Sequence, residues 1–438
     1  MKNSATAEVG PYAFIVSFGL VSMLMDTVYE GALAVQGTLL ASLGASALVV
    51  GIVSGLGEAT ALAGRLFSGP LADRTGRYWL FAILGYAITA CAVPAMGFAG
   101  SLIGVSALVV IERFGKSLRT PSRDAMISHA ATAWRGKGFA LHEVMDQIGA
   151  MAGPLAVAAL LTATGNDYRV ALGILIIPGL AAIGVLLALR HRVPRPAIYE
   201  QLHAEQAQQD PRQDEPTQQN SQRAWKNQQN QQTESDVALS IATKSKSAVA
   251  KTQRATLPGV FWAYSTGCAV VLIGVATFGV VSYHIVSTGL ASDALVPALY
   301  AVAMVVDGIF AALTGVLYDR LGTKVLLCLP VVCALIPLFA YANDLAWITV
   351  GVVLWGASLG IQESTMRAAV ADIVPTSQRA TAYGIFSVFV GAGALLGGVI
   401  AGGVYTVSPQ LLAGLVMAIE AVAFVLLVRS TTTSHSEF

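Results

Sequence analysis

Charge is the scarcest feature of this sequence. Only 12% of the 438 residues are charged, about half of the ~25% usual for soluble domains, whereas 55% are hydrophobic. Because 26 lysines and arginines nearly balance 25 aspartates and glutamates, the net charge is +1, and a basic nucleic-acid binder is not expected. A soluble globule of this size has too few polar residues to build its surface. The composition therefore predicts that lipid is the main solvent of the chain.

The sequence also lacks the marks of an enzyme or of a cross-linked module. The four cysteines lie in apolar runs without CxxC spacing, so neither a disulfide framework nor a zinc knuckle is expected. Nucleophile elbows, phosphate loops and HExxH motifs do not occur, and we expect neither catalysis nor a cofactor. No Asn-x-Ser/Thr sequon occurs, which together with the short loops favours a bacterial inner membrane.

What is present is a series of about twelve apolar stretches. Each has roughly 20 residues or more, enough to cross ~30 Å of hydrocarbon as a helix. The predicted spans are 12–33, 46–70, 78–98, 101–121, 138–162, 168–190, 259–285, 294–318, 324–342, 345–367, 380–405 and 409–429. A Gln-rich, charged segment separates the sixth from the seventh and predicts a flexible or weakly helical linker. We therefore expect an all-α membrane protein with six-helix bundles over 1–190 and 259–438 and a linker over 191–258.

Basic residues are concentrated in alternate loops. The loops on one side are expected to hold Arg74, Arg77, Arg119, Arg123, Arg135, Lys137, Arg320, Lys324 and Arg379, whereas the opposite short loops offer essentially Arg169. This bias predicts that the basic loops, both termini and the linker are cytoplasmic.

The two halves of the sequence repeat. The loop GPLADRTGR at 69–77 recurs in weaker form as GVLYDRLGTK at 315–324, and Gly149 and Gly153 are matched by glycines at corresponding places in the second half. A repeat of this kind predicts two related bundles with a pseudo-twofold axis.

With these motifs the sequence resembles the major facilitator superfamily of secondary transporters, over almost the whole chain outside the linker. The loop Gly69-x3-Asp73-Arg74-x-Gly76-Arg77 is similar to the signature loop of that superfamily, and Asp319 and Arg320 belong to its second copy. The resemblance implies that Asp73 docks at the positive N-terminus of the eleventh helix. Arg74 and Arg77 would pair with nearby acids and hold the cytoplasmic side shut.

Two further motifs support the resemblance. Arg113 resembles the membrane-embedded arginine of the fourth helix, and Gly149-x3-Gly153-Pro154 resembles a motif associated with antiporters. Small residues four apart also serve ordinary helix packing. The resemblance implies that helices 1, 4, 7 and 10 line a central cavity.

Intramembrane charges are expected to face that cavity or a protein-lined interior, because a charge near mid-bilayer costs roughly 2.5–3.5 kcal/mol. The candidates for proton coupling or for the substrate cavity are Asp26, Glu30, Glu58, Glu112, Arg113, His142, Glu143, Asp146 and Asp307. Asp26 and Glu30 share one helix face, which indicates a proton site, a cationic ligand or a structural bond to another helix.

Arg113 is expected to need a partner outside its own helix, since Glu112 points elsewhere and can pair with Lys116 four residues on. Asp26, Glu58 or Asp146 would serve. If a proton competes with Arg113 for that carboxylate, protonation frees the arginine, which would couple protons to a conformational change.

His142 and Asp146, one turn apart, admit three interpretations: a proton relay, a gate of ion pairs, or one side of a transition-metal site that another helix completes. In the second half, Glu363 and Arg367 are expected to pair, and Asp307 is a lone carboxylate with a protonation hypothesis. Tyr283, Tyr300, Trp355 and Phe386 are candidates for a pocket wall.

The sequence thus predicts a proton-coupled secondary transporter that works by alternating access. Nine intramembrane acids against four bases favour protons with a neutral or cationic solute. Efflux by proton antiport is preferred, with proton-coupled uptake, transition-metal export and a non-transporting receptor as alternatives. The expected partners are a small molecule or ion, protons and the lipid bilayer, and the chain is expected to be a monomer.

Overall fold

A computed structural model of the chain describes residues 9–130, 135–199, 202, 257–275, 277–375 and 378–433. Most of the predicted linker at 191–258 lies outside the described residues, as do the side chains of Arg135 and Lys137. Over the described residues all regular structure is helical, which confirms the all-α prediction.

The amino-terminal half contains seven helices that make six crossings. They are α1 (Pro11–Ser42), α2 (Ala47–Thr75), α3 (Tyr78–Phe98), α4 (Leu102–Ala130), α5 (Arg135–Thr164), α6 (Tyr168–Gly173) and α7 (Ile176–Arg192). The short α6 and α7 follow one another and form the sixth crossing. Local sequence sets the helix starts: the Ser46 side chain accepts the Val49 N–H at the start of α2, and Asp167 accepts the Arg169 N–H at the start of α6.

The carboxy-terminal half repeats the pattern with two interruptions. Its helices are α8 (Gly259–Gly274), α9 (Phe278–Ser287), α10 (Leu295–Leu321), α11 (Cys328–Ala340), α12 (Leu345–Ile373), α13 (Arg379–Tyr405) and α14 (Pro409–Thr433), with a 3-10 helix at Gly322–Leu327. The seventh crossing is α8 followed by α9. The ninth crossing is the 3-10 helix followed by α11.

Helix length and hydropathy support the twelve crossings. Ten segments of the described residues are long and apolar enough to span a membrane, and one of them, Leu295–Ala340, is long enough for two crossings. The remaining crossing is α4, which carries Glu112, Arg113, Lys116 and Arg119. The chain is a multi-pass membrane protein with twelve crossings, as in the twelve-helix architecture that the sequence predicts.

Helix α4 corrects the sequence-based boundaries. It continues through Pro121 to Ala130, so Arg119 and Arg123 lie in a helix and not in a loop. Arg119 is only 3% exposed, because its guanidinium donates to Thr89 and stacks on two tyrosine rings. Partners for a buried arginine are not visible in a hydropathy pattern, and Arg119 is therefore removed from the orientation signal.

The sequence repeat is also a repeat in packing. A Cβ atom built on Gly149 or Gly153 of α5 would overlap the backbone of Met23 or Thr27 in α1. In the second half, Gly393 and Gly397 of α13 meet the backbone of α8 at Ala269 and Leu272 in the same way. Each half thus packs its fifth crossing against its first through a pair of glycines.

Each signature loop turns at a glycine with positive φ. Gly76 ends α2 with φ of 63°, and Gly322 ends α10 with φ of 62°. Residues that carry a side chain rarely adopt a positive φ, so glycine is favoured at both turns. We call the side of the molecule that carries Arg74, Arg77 and Lys324 the basic end, and the other side the opposite end.

Close contacts between the halves are found near the opposite end. The glycine pairs Gly51–Gly398 and Gly37–Gly279 bring α2 against α13 and α1 against α9. The Tyr168 hydroxyl also donates to the Asp293 carboxylate over 2.7 Å. Two separate apolar clusters, one mainly in each half, lie on either side of this interface.

Candidate functional site

A cavity of about 310 Å³ lies between the halves. Helices α1, α2 and α4 supply one wall, and α8, α9, α10, α12 and α13 supply the other. Among the described lining residues, four are acidic (Glu30, Glu58, Asp307 and Glu363) and four are basic (Arg65, Arg113, Lys116 and Arg367). The acidic excess expected from the sequence does not extend to this cavity, because the other predicted acids do not line it.

Four of these charges form a central layer: Glu30, Glu58, Arg113 and Asp307. At 1.5 Å per residue, each lies roughly 16–18 Å along its helix from the opposite end. The charges come from four different helices. Glu30 on α1 and Arg113 on α4 lie on helices that were expected to line the cavity, whereas Glu58 on α2 and Asp307 on α10, the eighth crossing, do not. Arg65, Glu363 and Arg367 lie nearer the basic end.

Arg113 is the best-connected charge of the central layer. Its Nη2 atom lies 3.2 Å from Oε1 of Glu58, and its Nε atom lies 3.4 Å from Oε2 of Glu112. Glu58 is thus the partner among the three carboxylates considered. The prediction that Glu112 points away from Arg113 is wrong, because the arginine side chain bends back along its own helix.

Lys116 does not pair with Glu112 as expected. Its Nζ donates to the Tyr29 hydroxyl over 2.9 Å and lies 4.2 Å from the centre of that ring. Glu112 is bonded by Thr89 instead. Within the described residues, no acidic group lies within 4 Å of Lys116 Nζ.

The remaining central carboxylates are bonded by neutral groups. The Tyr300 hydroxyl donates to Glu30, and the Gln147 amide donates to Oδ2 of Asp307 over 3.4 Å. Both bonds cross from one half to the other. Asp26, one turn from Glu30, is buried beside the cavity with Asp146, Arg119 and Glu30 among its charged neighbours.

Aromatic rings form the floor of the cavity next to the central layer. The ring centre of Phe278 lies 4.8 Å from that of Tyr300 and 5.3 Å from that of Trp355. Phe386 also lines the cavity, whereas Tyr283 is not among its lining residues. Three of the four aromatic candidates are therefore in the wall.

A second polar network lies between α1, α4 and α5, towards the basic end. His142 Nδ1 lies 3.4 Å from Oδ2 of Asp146, and its Nε2 lies 2.9 Å from the Ser22 hydroxyl. Arg123 Nη1 lies 3.3 Å from the same Asp146 oxygen. Both ring nitrogens of His142 thus have partners within the protein, and the ring is 3% exposed.

The structure places no third metal ligand beside His142 and Asp146 among the described residues. Nowhere in the described part of the chain do three or more His, Cys, Asp or Glu side chains come together in an arrangement for a metal ion. The nearest neighbours of the His142–Asp146 pair are Ser22 and the cationic Arg123, and a cation at this position opposes metal binding.

The signature loop differs from what the resemblance implies. Asp73 accepts a hydrogen bond from the Tyr78 hydroxyl over 3.0 Å, and among the described contacts it has none with α13. Arg74 and Arg77 are exposed, and no described acid lies within 4 Å of either. Arg77 instead faces a surface hollow of about 700 Å³ beside Arg190 and His191.

Other predicted residues occupy less connected positions. Glu143 is exposed, as are Asp319 and Arg320 at the second signature loop. Glu363 and Arg367 both line the cavity, but their charged groups are not within 4 Å of each other. Pro154 follows the two glycines in α5, and Gly69 faces Pro121 of α4.

The structure adds two residues that the sequence analysis did not name, Tyr29 and Gln147, and gives a buried position to Arg119, which was predicted as a loop charge. Tyr29 lies under three cations, and Gln147 joins the halves at Asp307. Tyr29 lies one residue before Glu30, and Gln147 one residue after Asp146, so proximity to a predicted carboxylate was the available signal. For Arg119 no local pattern in the sequence indicated its burial, because its partner Thr89 lies on another helix.

Comparison with known proteins identifies relatives over most of the chain. A family model described as Major Facilitator Superfamily matches residues 16–361 and 286–437. An uncharacterized protein of Mycobacterium tuberculosis is 43% identical over 417 residues, covering 95% of this chain and 92% of its own length. An uncharacterized MFS-type transporter of Methanocaldococcus jannaschii is 29% identical over 152 residues, covering 35% of this chain and 38% of its own.

Solved structures share the fold at low identity. The nucleoside transporter NupG superposes with a TM-score of 0.67 at 14% identity, over 95% of this chain and 99% of its own. A POT family transporter in complex with 5-aminolevulinic acid superposes with a TM-score of 0.69 at 10% identity, over 96% of each chain. Identities this low describe a common architecture of helices.

Proposed function

Because the chain belongs to the Major Facilitator Superfamily and is a membrane transporter of that type, we propose that it is a proton-coupled secondary transporter of a small solute. The observation that carries this proposal is the central layer of charges in the cavity between the halves. Buried carboxylates at mid-membrane are costly and mark ion or substrate pathways. Solute and proton would share this layer.

The coupling groups in this proposal are Glu58 and Asp307. Glu58 holds Arg113 over 3.2 Å, so a proton on Glu58 weakens that ion pair and frees the guanidinium. Asp307 is bonded to Gln147 of the other half, so a proton or a cation at Asp307 changes a contact across the interface. Site occupancy and the relative position of the halves are thereby linked.

Alternating access would come from movement of two six-helix bundles, 1–190 and 259–438, joined by the linker at 191–258. The described contacts between Gly51 and Gly398 and between Tyr168 and Asp293 hold the halves together near the opposite end. Opening there requires these contacts to separate. We place the basic end and both termini in the cytoplasm of a bacterial inner membrane.

Proton antiport is the direction of coupling we propose. A cationic group of the solute and a proton would compete for Asp307, because one carboxylate cannot hold both. Each solute that binds would release a proton on the side from which it enters. In this proposal the glycine motif of α5 permits close packing on α1 and takes no part in coupling.

The test is a proton-flux assay in proteoliposomes that trap a pH-sensitive dye. The panel contains choline, glucose, uridine, citrate, phenylalanine and Zn²⁺, each added outside vesicles with an acidic interior. We expect at least one organic member to raise the internal pH saturably, and Zn²⁺ to give no protein-dependent change. Absence of a proton response to every member, including those that bind the purified protein, would overturn the proposal.

A further inference from the structure

Four buried atoms of residues that line the cavity have no hydrogen-bond partner among the described residues: Nε of Arg65, Nη1 of Arg113, Oγ1 of Thr277 and Oδ1 of Asp307. Two of them, Nη1 of Arg113 and Oδ1 of Asp307, belong to the central layer, and both of these residues are 3% exposed. Most buried polar atoms in folded proteins are paired. Nη1 of Arg113 is a donor on a cation and Oδ1 of Asp307 is an acceptor on an anion, so together they suit a ligand that carries both charges.

The geometry of Arg113 leaves this donor free for a ligand. Its Nη2 and Nε atoms are directed at Glu58 and Glu112. The third nitrogen, Nη1, is left without a described partner on an arginine that is already fixed in place. A guanidinium held in this way is suited to receive a carboxylate, because its remaining N–H groups keep a fixed direction.

The free donor and the free acceptor lie on facing walls. Arg113 is on α4 in the amino-terminal half, and Asp307 is on α10 in the carboxy-terminal half. Both belong to the central layer. A ligand that reaches both atoms would bridge the two halves.

The charges of the two walls have opposite signs. In the amino-terminal wall, Arg65, Arg113 and Lys116 outnumber Glu30 and Glu58 by one. In the carboxy-terminal wall, Asp307 and Glu363 outnumber Arg367 by one. The described lining is therefore neutral as a whole and polarised across the cavity. A zwitterion keeps it neutral, whereas a single net charge would add an uncompensated charge at mid-membrane.

The size of the cavity and its aromatic floor restrict the choice of ligand further. About 310 Å³ is at the small end of ligand cavities. The rings of Phe278, Tyr300 and Trp355 lie in mutual contact beside the central layer and offer an apolar surface. Such a floor favours a flat or aliphatic side chain.

We propose that the solute is a zwitterion of amino-acid to dipeptide size with an apolar side chain. Its ammonium group binds Asp307, its carboxylate binds Arg113, and its side chain packs on the aromatic floor. This inference rests on the proposed transport function, since it names the solute of the same cavity. The ammonium group is the part of the solute that competes with the proton.

Matched analogues test the two charges separately. Phenylalanine carries both charges, phenylalaninamide only the ammonium, and N-acetylphenylalanine only the carboxylate, on the same ring. Binding to the full chain in detergent at pH 7 is measured by calorimetry or thermal shift. We expect phenylalanine to bind about 10- to 100-fold more tightly than either analogue, because each analogue loses one charge-assisted contact.

Each other outcome overturns the proposal that the solute is a zwitterion. If phenylalaninamide binds as tightly as phenylalanine, the cavity is a cation site. If N-acetylphenylalanine does so, it is an anion site. If none of the three binds, a zwitterion of this size is not the ligand.

Variants assign the contacts to residues. Asp307→Asn should abolish the preference for phenylalanine over N-acetylphenylalanine, and Glu420→Gln should keep it. Glu420 is a matched control because it is also buried at 1% exposure but does not line the cavity. Arg113→Lys should reduce the preference over phenylalaninamide. A purely structural effect would lower the affinity for all three compounds equally, and that result would overturn the assignment.

The same proteins separate this inference from the transport function. If phenylalanine binds with the expected preference but drives no proton movement in proteoliposomes, the zwitterion site stands and the coupling proposal fails. If phenylalaninamide exchanges for protons and phenylalanine does not, the proposed transport function stands and the proposal of a zwitterionic solute fails.

Discussion

Gln147 of α5 donates from its amide nitrogen to a carboxylate oxygen of Asp307 on α10 over 3.4 Å. This bond joins the two halves of the protein at the depth of the central charge layer. Gln147 also lies against Gly308, where no side chain separates the helices. The residue that we propose to titrate during transport is therefore also a contact between the parts that must move.

Replacing Gln147 by glutamate tests this proximity. In Gln147→Glu a second carboxylate faces Asp307, and the two repel when both are ionised. We expect thermal stability below that of the wild type at pH 8, by about 1–3 kcal/mol, and recovery at pH 5, where a shared proton removes the repulsion. Gln410→Glu, on an exposed stretch, should show no such pH dependence. Identical pH profiles for Gln147→Glu and the wild type would mean that the two side chains are not in contact.

The glycine motif of α5 yields a stability prediction. In Gly153→Ala the new methyl group would overlap the Thr27 carbonyl oxygen of α1, which cannot move without moving the helix. Overpacking of this kind costs about 1–3 kcal/mol. The repeat predicts a similar loss for Gly397→Ala, against α8. Thermal melts in detergent measure both.

Gly414→Ala is the control, because no neighbouring atom of the described residues lies within 4 Å of a Cβ built there. Its stability should equal or exceed that of the wild type, since alanine is the better helix former. If the Gly153 and Gly414 variants melt alike, the close packing of α1 and α5 is not as described.

The sequence was sufficient to predict the architecture, because a helix that crosses lipid needs a long apolar stretch that is easy to recognise. Apolar length gives the crossings, and repeated glycines at 149 and 393 give the pairing of helices within each half. It also indicated Arg113 and Asp307, since charge is rare in such helices.

The sequence did not give the partners of these charges. An arginine can bend back to Glu112 or reach Glu58, and only the packing of α2 against α4 decides that it does both. Helix α4 was cut short because Arg119 and Arg123 look like loop charges until Thr89 and Asp146 are placed beside them. Long-range contacts of this kind leave no local pattern.

Metal binding is tested at His142. Both of its ring nitrogens have protein partners, so we expect Zn²⁺ and Ni²⁺ to raise the melting temperature of the wild type no more than that of His142→Ala. The substitution itself should lower stability by about 1–3 kcal/mol, because it leaves Ser22 and Asp146 with fewer partners. A metal-induced shift that disappears in His142→Ala would restore the metal-export hypothesis.

Orientation is tested by labelling single cysteines in a background with the four native cysteines replaced. We expect Ser101→Cys, at the opposite end, to react in intact cells with a maleimide that does not cross membranes. Thr75→Cys, at the basic end, should react only after the cells are opened, since basic loops stay in the cytoplasm. The reverse pattern would invert the proposed topology.

Proton coupling at Asp307 is tested by one comparison of transport in proteoliposomes. Proteoliposomes with an acidic interior are given radiolabelled phenylalanine, and accumulation is measured for the wild type, Asp307→Asn and Glu420→Gln. We predict accumulation above equilibrium by the wild type and Glu420→Gln, its collapse by a protonophore, and no accumulation above equilibrium by Asp307→Asn. Accumulation by Asp307→Asn at the wild-type level, or wild-type accumulation that a protonophore does not affect, would contradict it.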